Sequence, residues 1–199
     1  MSQNARFPDQ RKVIYSQMVS LDGYIEGPNG EIDWGTPDRE LFNFINELES
    51  DIDIHLYGRR TYENMANYWP AVERNPKSTE QEMEWAHKWV EIPKIVFSKT
   101  LDKVEWNARL IKDNISKEIA KLKAQPGKNC SLGGAALAST FIQLGLIDEY
   151  CLYIYPVALG RGKPLFPLLN ARIHLQLIET RSFDSGVVFL RYHPNAERQ

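Results

Sequence analysis

The sequence predicts a three-layer α/β/α fold in which helices cover both faces of a mixed, mostly parallel central sheet. Over the first three quarters of the 199-residue chain, apolar segments of strand length alternate with segments whose apolar residues recur every three or four positions. This alternation is typical of parallel strands joined by crossover helices. The last quarter contains strand-like segments with no helix between them, which predicts antiparallel strands at the C-terminal end.

The first strand is predicted at residues 13–19, and it ends at a turn that contains Asp22 and Gly23. A helix follows, for which Thr36 is the expected N-cap and Pro37 the expected first residue. Its buried face is predicted from three apolar residues at i, i+4 and i+7: Leu41, Ile45 and Leu48.

Two further strands are predicted at residues 52–57 and 95–97, and a helix begins at Thr61 after the first of them. Between these strands, residues 69–93 form a long polar segment with a helix of its own, for which Ser78 and Gln81 fit a capping box. This segment carries three tryptophans, Trp69, Trp85 and Trp89. Tryptophans here suit a substrate lid, a dimer surface or ordinary helix packing, and the sequence leaves these alternatives open.

The remaining elements follow the same logic. A short edge strand at 109–111 precedes a helix marked by Ile115, Ile119 and Leu122. A strand at 129–132 runs into a double glycine and a helix, which ends at Gly145. The last predicted strands span residues 147–155, 172–180 and 187–192.

The length fits one domain, because 199 residues are too few for two independent cores of ordinary size. We expect a single domain over residues 12–193, a disordered N-terminal arm over 1–11 and a polar tail over 194–199. Hydrophobic residues make up 43% and charged residues 25%, which is an ordinary globular balance.

Several classes of protein are disfavoured. A net charge of −2 argues against sequence-independent binding to nucleic acid. The apolar runs are too short to cross a membrane, and the polar N-terminus lacks a signal core, so we expect a cytoplasmic protein. Cys130 and Cys151 lie in or beside apolar strands and are expected to be free, buried thiols. The four histidines are scattered, so no metal site is predicted.

Three junctions between a strand and the next segment carry groups that suit a dinucleotide. The first consists of Gly58, Arg59, Arg60 and Thr61, where glycine permits close approach and the arginines can bind phosphate at a helix N-terminus. Two arginines fit an additional phosphate monoester, which favours NADPH over NADH. The alternative is a pair of solvated arginines in a surface turn.

The second junction consists of Ser98, Lys99 and Thr100, which suit a ribose phosphate or an adenine slot but equally an ordinary polar loop. The third junction again leads from a strand into a helix, and its small residues allow a pyrophosphate to approach the helix amides. It consists of Gly133, Gly134, Ala135, Ala136 and Leu137. The alternative is a double glycine that only permits tight packing of helix against sheet.

These motifs in this order resemble dihydrofolate reductases, in which a Gly-Arg-Lys/Arg-Thr-aromatic-Glu segment like residues 58–63 holds phosphates of the cofactor. The second half is more similar to the reductase domain of bacterial riboflavin biosynthesis and its stand-alone relatives. The segments that carry this second resemblance are 20–23, 133–137, 145–149 and 156–166. Together the resemblances cover residues 12–193.

The resemblance implies a dihydrofolate reductase-like fold, NADPH as cofactor, a small-molecule substrate and a homodimer. The implied activity is NADPH-dependent reduction of a small nitrogen heterocycle, of the 5-amino-6-(5-phosphoribosylamino)uracil reductase type. The alternatives are dihydrofolate reductase activity and a non-catalytic module for nucleotide binding or redox sensing.

The resemblance also suggests roles for individual residues. Met18, Val19 and Ile25 would form the apolar wall against the nicotinamide, and Trp34 would contact the substrate. The loop at 160–164 is flanked by glycines, and its Arg161 and Lys163 suit a phosphate on the substrate but fit a solvated basic loop almost as well. Asp22 and Asp38 are the candidate catalytic carboxylates for proton delivery. Each has an ordinary alternative: Asp22 forms the turn at the strand end, and Asp38 interacts with the helix dipole.

Overall fold

The computed structural model describes residues 11–166, 169 and 171–195. Its fold is α/β, with a mostly parallel central sheet and antiparallel C-terminal strands, which confirms the predicted fold class. The chain divides into two compact units. Unit 1 consists of Met1–Lys12 and Ile52–Cys130, and unit 2 of Val13–Asp51 and Ser131–Gln199.

The described residues form ten strands and five α-helices. In chain order these are β1 (Val13–Ser20), β2 (Tyr24–Glu26), α1 (Arg39–Glu49), β3 (Ile52–Gly58), α2 (Arg59–Glu73), α3 (Glu80–Glu91), β4 (Lys94–Phe97), β5 (Ala108–Ile111), α4 (Ile115–Lys123), β6 (Asn129–Gly133), α5 (Ala135–Gln143), β7 (Glu149–Tyr155), β8 (Lys163–Pro164), β9 (Leu175–Ser182) and β10 (Val188–Pro194). A short 3-10 helix spans Asp33–Gly35.

Unit 1 is built on the parallel strands β3, β4 and β5, in which Gly58 is level with Phe97 and Phe97 with Ile111. Val96 is fully buried at the centre of these strands, together with Trp89 from α3. Trp69 of α2 packs against the same cluster, and it meets Trp85 edge-on at 6.1 Å. In unit 1 the tryptophans of the long polar segment therefore pack helices together.

Unit 2 contains the strand order β6-β1-β7-β10-β9. β1 and β7 are parallel, and β10 is antiparallel to both β7 and β9. Leu41 and Phe44 of α1 share one buried cluster with Tyr153 of β7 and Phe189 of β10. The short strands β2 and β8 form a separate two-stranded sheet that the sequence did not predict, because two- and three-residue strands carry no periodicity.

Two predicted helix caps are wrong. The N-cap of α1 is Asp38, whose carboxylate accepts a hydrogen bond from the Leu41 amide at 2.8 Å, while Thr36 is extended two residues before it. The capping box of α3 uses Thr79 and Glu82. Ser78 is not the cap because its hydroxyl donates to the Val72 carbonyl at 3.0 Å.

The predicted N-terminal arm and polar tail lie largely outside the described residues, which exclude 1–10 and 196–199. Arg11, the last residue of the predicted arm, is buried in unit 1. Its guanidinium forms a two-point ion pair with Asp53, at 2.5 and 2.9 Å, and donates to the Pro126 carbonyl at 3.0 Å. Arg11 is therefore part of the folded unit.

Cys130 and Cys151 are free and buried, as predicted. Burial raises the pKa of the Cys130 thiol to about 11 and that of the Cys151 thiol to about 12, so both stay protonated and unreactive. Within residues 11–166, 169 and 171–195, no helix is long and apolar enough to span a membrane, and no His, Cys, Asp and Glu side chains form a group that could hold a metal ion.

Candidate functional site

The N-terminus of α2 begins at a glycine and carries two arginines. β3 leads directly into α2, and the N-cap Gly58 has no side chain to accept from the first amides of the helix. Such amides point along the helix axis and suit a phosphate. Arg59 and Arg60 are exposed at this terminus, and Thr61 is half-buried behind them.

Arg59 has one weak acidic neighbour. Its guanidinium lies 3.4 Å from the Glu63 carboxylate one turn along α2, and both side chains are close to half exposed. Ion pairs of this kind contribute little to stability in water. A phosphate at the helix N-terminus can therefore compete with Glu63 for Arg59.

The Ser98 turn follows β4 and is organised by its own hydroxyl. The Ser98 Oγ accepts hydrogen bonds from the amides of Thr100 and Leu101, each at 3.1 Å. The Ser98 amide donates to the Ile111 carbonyl at 3.0 Å, which ties the turn to the end of β5. Lys99 and Thr100 point outward with exposed side chains.

The register of unit 1 brings these two predicted junctions together. Because β3 and β4 are parallel and Gly58 is level with Phe97, the N-terminus of α2 and the Ser98 turn lie at the same edge of the sheet. Neighbouring strands are about 4.8 Å apart, so the two segments are adjacent. The exposed residues Arg59, Arg60 and Lys99 thus belong to neighbouring segments at this edge of the sheet.

The third predicted junction belongs to unit 2. Gly134 is the N-cap of α5 and adopts a φ of 92°, a conformation that residues with a side chain rarely take. The N-cap Gly134 has no side chain that could accept from the first amides of α5. Ala135 and Ala136, the first residues of the helix, are small, and Leu137 is buried and anchors the helix. α4 also lacks a side-chain cap, so a missing cap alone does not indicate a phosphate site. At α5 it indicates one only in combination with the pair Gly133 and Gly134.

The predicted apolar wall lies in β1 and β2 of unit 2. Val19 and Ile25 are each only 2% exposed, so their side chains belong to the core. Met18 is half-buried, and a Cβ at Gly35 would lie 3.2 Å from its sulfur, so Gly35 leaves the space that Met18 fills. Of these three side chains, Met18 is the one still open to a ligand.

Asp22 joins two loops at the ends of β1 and β7. Its carboxylate accepts from the Ser20 hydroxyl at 2.6 Å and from the amides of Leu159 and Gly160 at 3.1 and 2.7 Å. These hydrogen bonds, above all the one from Ser20, lower the pKa of Asp22. A carboxylate held in its charged form positions the loop well and donates a proton poorly.

One region of unit 2 contains Asp38, Trp34 and Tyr155. The Asp38 carboxylate caps α1, and the Trp34 ring meets the Tyr155 ring edge-on at 5.7 Å between centroids. The Tyr155 hydroxyl is buried and has no hydrogen-bond partner among the described atoms. Burial raises the pKa of Tyr155 to about 12, and the nearby charge of Asp38 adds to this effect.

Tyr155 is the residue of this region that sequence reasoning missed. A buried hydroxyl without a partner is unusual, because desolvation costs free energy that a hydrogen bond normally offsets. The only signal in the sequence is a tyrosine at the carboxyl end of a strand, which also fits ordinary packing.

Two residues, Arg161 and Lys163, are predicted to contact a phosphate of the substrate, and each has an acidic neighbour. Lys163 lies in β8, 3.5 Å from the Glu26 carboxylate of β2. A hydrogen bond from the Asn29 side chain is the main cause that lowers the pKa of Glu31, and the charge of the exposed Arg161 adds to this effect. A phosphate at this loop would have to compete with both carboxylates.

Comparison with known proteins identifies the family. Residues 11–189 match the family described as RibD C-terminal domain. The chain is 44% identical over 189 residues to the uncharacterized protein YyaP of Bacillus subtilis, which covers 94% of this chain and 96% of that protein. The two proteins therefore align over nearly their whole lengths.

Two solved structures show the same fold. The putative riboflavin biosynthesis protein of Shewanella sp. PV-4 superposes with a TM-score of 0.74 at 24% identity, covering 92% of this chain and 99% of that one. Dihydrofolate reductase from Enterococcus faecalis, solved with NADP(H), gives a TM-score of 0.61 at 16% identity, with 94% and 98% covered. The resemblance predicted from the sequence motifs is confirmed by the family match, and the chain belongs to the RibD C-terminal domain family.

Proposed function

We propose that this protein is an NADPH-dependent reductase of a small nitrogen heterocycle, with a substrate like 5-amino-6-(5-phosphoribosylamino)uracil. Membership of the RibD C-terminal domain family supports an oxidoreductase similar to the reductases of riboflavin biosynthesis. The observation that carries the choice of cofactor is the register of β3 and β4, which places Arg59 and Arg60 beside the Ser98 turn in unit 1.

The chemistry of Arg59 and Arg60 fits the 2′-phosphate of NADPH. A phosphate monoester carries nearly two negative charges, and guanidinium groups bind it with paired, charge-assisted hydrogen bonds. The N-terminus of α2, which the N-cap Gly58 leaves without a side-chain cap, adds backbone donors that favour an anion. NADH presents a neutral ribose diol at the same place, and a diol gains little from two arginines.

Unit 2, taken by itself, also has features that suit groups of a dinucleotide. The α5 amides behind Gly134 suit a pyrophosphate, and Met18 provides an apolar surface for a nicotinamide ring. When bound, NADPH would supply the hydride. The contribution of the chain is to hold the substrate, exclude water and deliver a proton.

For the proton, we prefer Asp38 to Asp22. The Asp22 carboxylate accepts three hydrogen bonds that favour its charged form, whereas Asp38 accepts one from the Leu41 amide. Asp22 is therefore assigned to positioning the loop after β7. Asp38 lies near the Tyr155 hydroxyl, which keeps its own proton and can donate a hydrogen bond to a substrate.

The cofactor is tested by titrating the protein with NADPH and with NADH. We expect clear preference for NADPH, and we expect Arg59→Ala together with Arg60→Ala to weaken NADPH binding at least tenfold while leaving NADH binding unchanged. Arg109→Ala is the matched control, because Arg109 is an exposed arginine of the same unit paired with Glu118. Equal affinity for the two cofactors, or no effect of the double substitution, contradicts this assignment.

The substrate is tested by following NADPH oxidation. The phosphoribosylamino-uracil and dihydrofolate are offered in parallel, and we expect turnover of the first. Turnover of dihydrofolate alone would favour the second activity. NADPH binding without oxidation in the presence of any tested heterocycle would favour a module for nucleotide binding or redox sensing.

A further inference from the structure

The hydroxyl of Tyr155 is a buried polar group that the fold leaves unsatisfied. Tyr155 is 5% exposed, and its hydroxyl has no hydrogen-bond partner among the residues that the structure describes. Burying a hydroxyl without a partner costs free energy. A phenylalanine would keep the contact with the Trp34 ring, at 5.7 Å between centroids, without that cost. The hydroxyl therefore needs an explanation other than core packing.

The position of Tyr155 suits contact with a ligand. It is the last residue of β7, and the register with β1 places it level with Ser20, on the same face of the sheet as Met18 and Tyr153. Met18 and Trp34 pack against the cluster that contains Tyr155, and both side chains are only half-buried. Ligands of α/β sheets bind at the carboxyl ends of the strands, which is where Tyr155 lies.

Asp38 supplies an acceptor near this hydroxyl. Burial is the main cause that raises the pKa of Tyr155, and the charge of Asp38 raises it further, so the two groups are neighbours. The Asp38 carboxylate nevertheless accepts from the Leu41 amide, through Oδ1 at 2.8 Å, and not from the Tyr155 hydroxyl. A carboxylate only accepts hydrogen bonds, whereas a neutral phenol can donate one. This region of unit 2 therefore combines one acceptor with one unused donor.

We propose that the Tyr155 hydroxyl donates a hydrogen bond to a ring carbonyl of the substrate, while the Asp38 carboxyl group faces the adjacent ring nitrogen. This role rests on the proposed function, and it adds the chemical class of the substrate: a heterocycle with a lactam edge, in which a carbonyl and a ring nitrogen are neighbours, as in an oxopyrimidine. The carbonyl satisfies the hydroxyl only in the complex, so the free energy that its burial costs the free protein is regained on binding. A ring without that carbonyl leaves the hydroxyl unsatisfied, which makes Tyr155 a specificity-determining residue.

The Tyr155 hydroxyl binds through its hydrogen and does not transfer a proton. Its pKa is raised to about 12, so the hydroxyl stays neutral at physiological pH. Loss of the hydroxyl should therefore weaken substrate binding and raise KM, while kcat and its dependence on pH remain unchanged. A residue that delivered the proton would change kcat instead.

Access to the hydroxyl requires a side chain to move, because the hydroxyl is closed to water in this structure. Trp34 meets the Tyr155 ring edge-on and belongs to a 3-10 helix of three residues. Its indole nitrogen donates to the Glu31 carbonyl at 3.2 Å. A half-buried side chain on so short a helix is the one that we expect to make way for the substrate.

The test compares two substitutions of tyrosine by phenylalanine. Tyr15→Phe is the matched control, because its hydroxyl is also buried without a partner among the described residues, but Tyr15 lies in the middle of β1 on the opposite face of the sheet. Both variants should unfold at a higher urea concentration than the wild type, since each loses an unsatisfied buried hydroxyl. Only Tyr155→Phe should weaken binding of 5-amino-6-(5-phosphoribosylamino)uracil, by about tenfold. Binding is measured by equilibrium dialysis in the presence of NADP+, which cannot supply a hydride.

Steady-state kinetics with NADPH and the same uracil complete the test. Tyr155→Phe should raise KM about tenfold, with kcat and the affinity for NADPH unchanged. Equal binding of the uracil by wild type and Tyr155→Phe overturns the role of Tyr155, even if both proteins oxidise NADPH. Failure of the wild type to bind the uracil, or a lower urea midpoint for Tyr155→Phe, also counts against it. Binding that depends on Tyr155 without oxidation of NADPH contradicts the proposed function and leaves the role of Tyr155 standing.

Discussion

Asp22 shows how one carboxylate can fix a loop that sequence alone cannot place. The sequence predicted a turn at Asp22-Gly23, and Gly23 does adopt a φ of 87°. Its partners Leu159 and Gly160, however, are 137 and 138 residues further along the chain. No local pattern reveals such a contact, so the sequence identified the residue without identifying its role.

At the residue scale we predict that Asp22→Asn lowers thermal stability at neutral pH and flattens the acid limb of the stability profile. The folded state lowers the pKa of Asp22, so its contribution to stability is present above the unfolded pKa of about 3.9. It is lost as pH falls through the lower folded pKa. The measurement is the melting temperature of wild type and variant across acidic and neutral pH.

The control for this prediction is Asp33→Asn, since Asp33 is an exposed aspartate of the same unit in the 3-10 helix. It makes the same chemical replacement at an exposed position, so the difference between the two variants isolates the hydrogen bonds of Asp22. If Asp22→Asn shows the same acid limb as wild type, the hydrogen bonds that Asp22 accepts from Ser20, Gly160 and Leu159 do not stabilise the folded state.

Residue types at strand ends did predict which segments of unit 1 lie next to each other. Arg59 and Ser98 follow strands that are parallel and adjacent, and strand-helix alternation already indicated parallel strands. Their proximity therefore follows from topology. Tyr155 could not be found in this way, because its unusual feature is a hydroxyl without a partner, which depends on all the side chains around it.

At the scale of elements, helix faces were predicted better than helix ends. The apolar spacing of α1 and α4 marked residues that are indeed buried, such as Leu41 and Ile119. The caps were displaced because several hydroxyl and carboxylate residues stand next to one another before each helix. Which of them accepts the helix amide is decided by backbone conformation, as with Asp38, whose ψ of 178° is extended.

The capping box of α3 gives the prediction at this scale. Thr79→Ala removes the acceptor of the Glu82 amide and should destabilise the protein by about 1 kcal/mol. Ser78→Ala removes a hydrogen bond to the Val72 carbonyl at the end of α2, and it should cost less because that carbonyl still accepts from the Asn75 amide at 3.1 Å. Urea unfolding of both variants measures the difference. A larger effect of Ser78→Ala would restore the cap predicted from sequence.

At the scale of the whole molecule, the chain path argues for one cooperative fold. Unit 1 contains Ile52–Cys130, which lies in sequence between the two segments of unit 2, Val13–Asp51 and Ser131–Gln199. β6 begins in unit 1 and ends in unit 2, since it spans Asn129–Gly133. Unfolding of either unit would therefore free one end of this strand, which is the physical reason to expect that the two units unfold together. The single domain expected for residues 12–193 stays a prediction.

We therefore predict a single unfolding transition in urea, with the same midpoint for every probe. Four of the five tryptophans, Trp69, Trp85, Trp89 and Trp106, belong to unit 1, so fluorescence of Trp34→Phe reports on unit 1 alone. Hydrogen exchange of peptides from β1 and β7 reports on unit 2 under the same conditions. Coincident midpoints mean that the 199 residues fold as one cooperative body, because a strand shared along the chain couples the two units. Separate midpoints would show that each unit folds by itself, and the prediction of one domain would then be wrong.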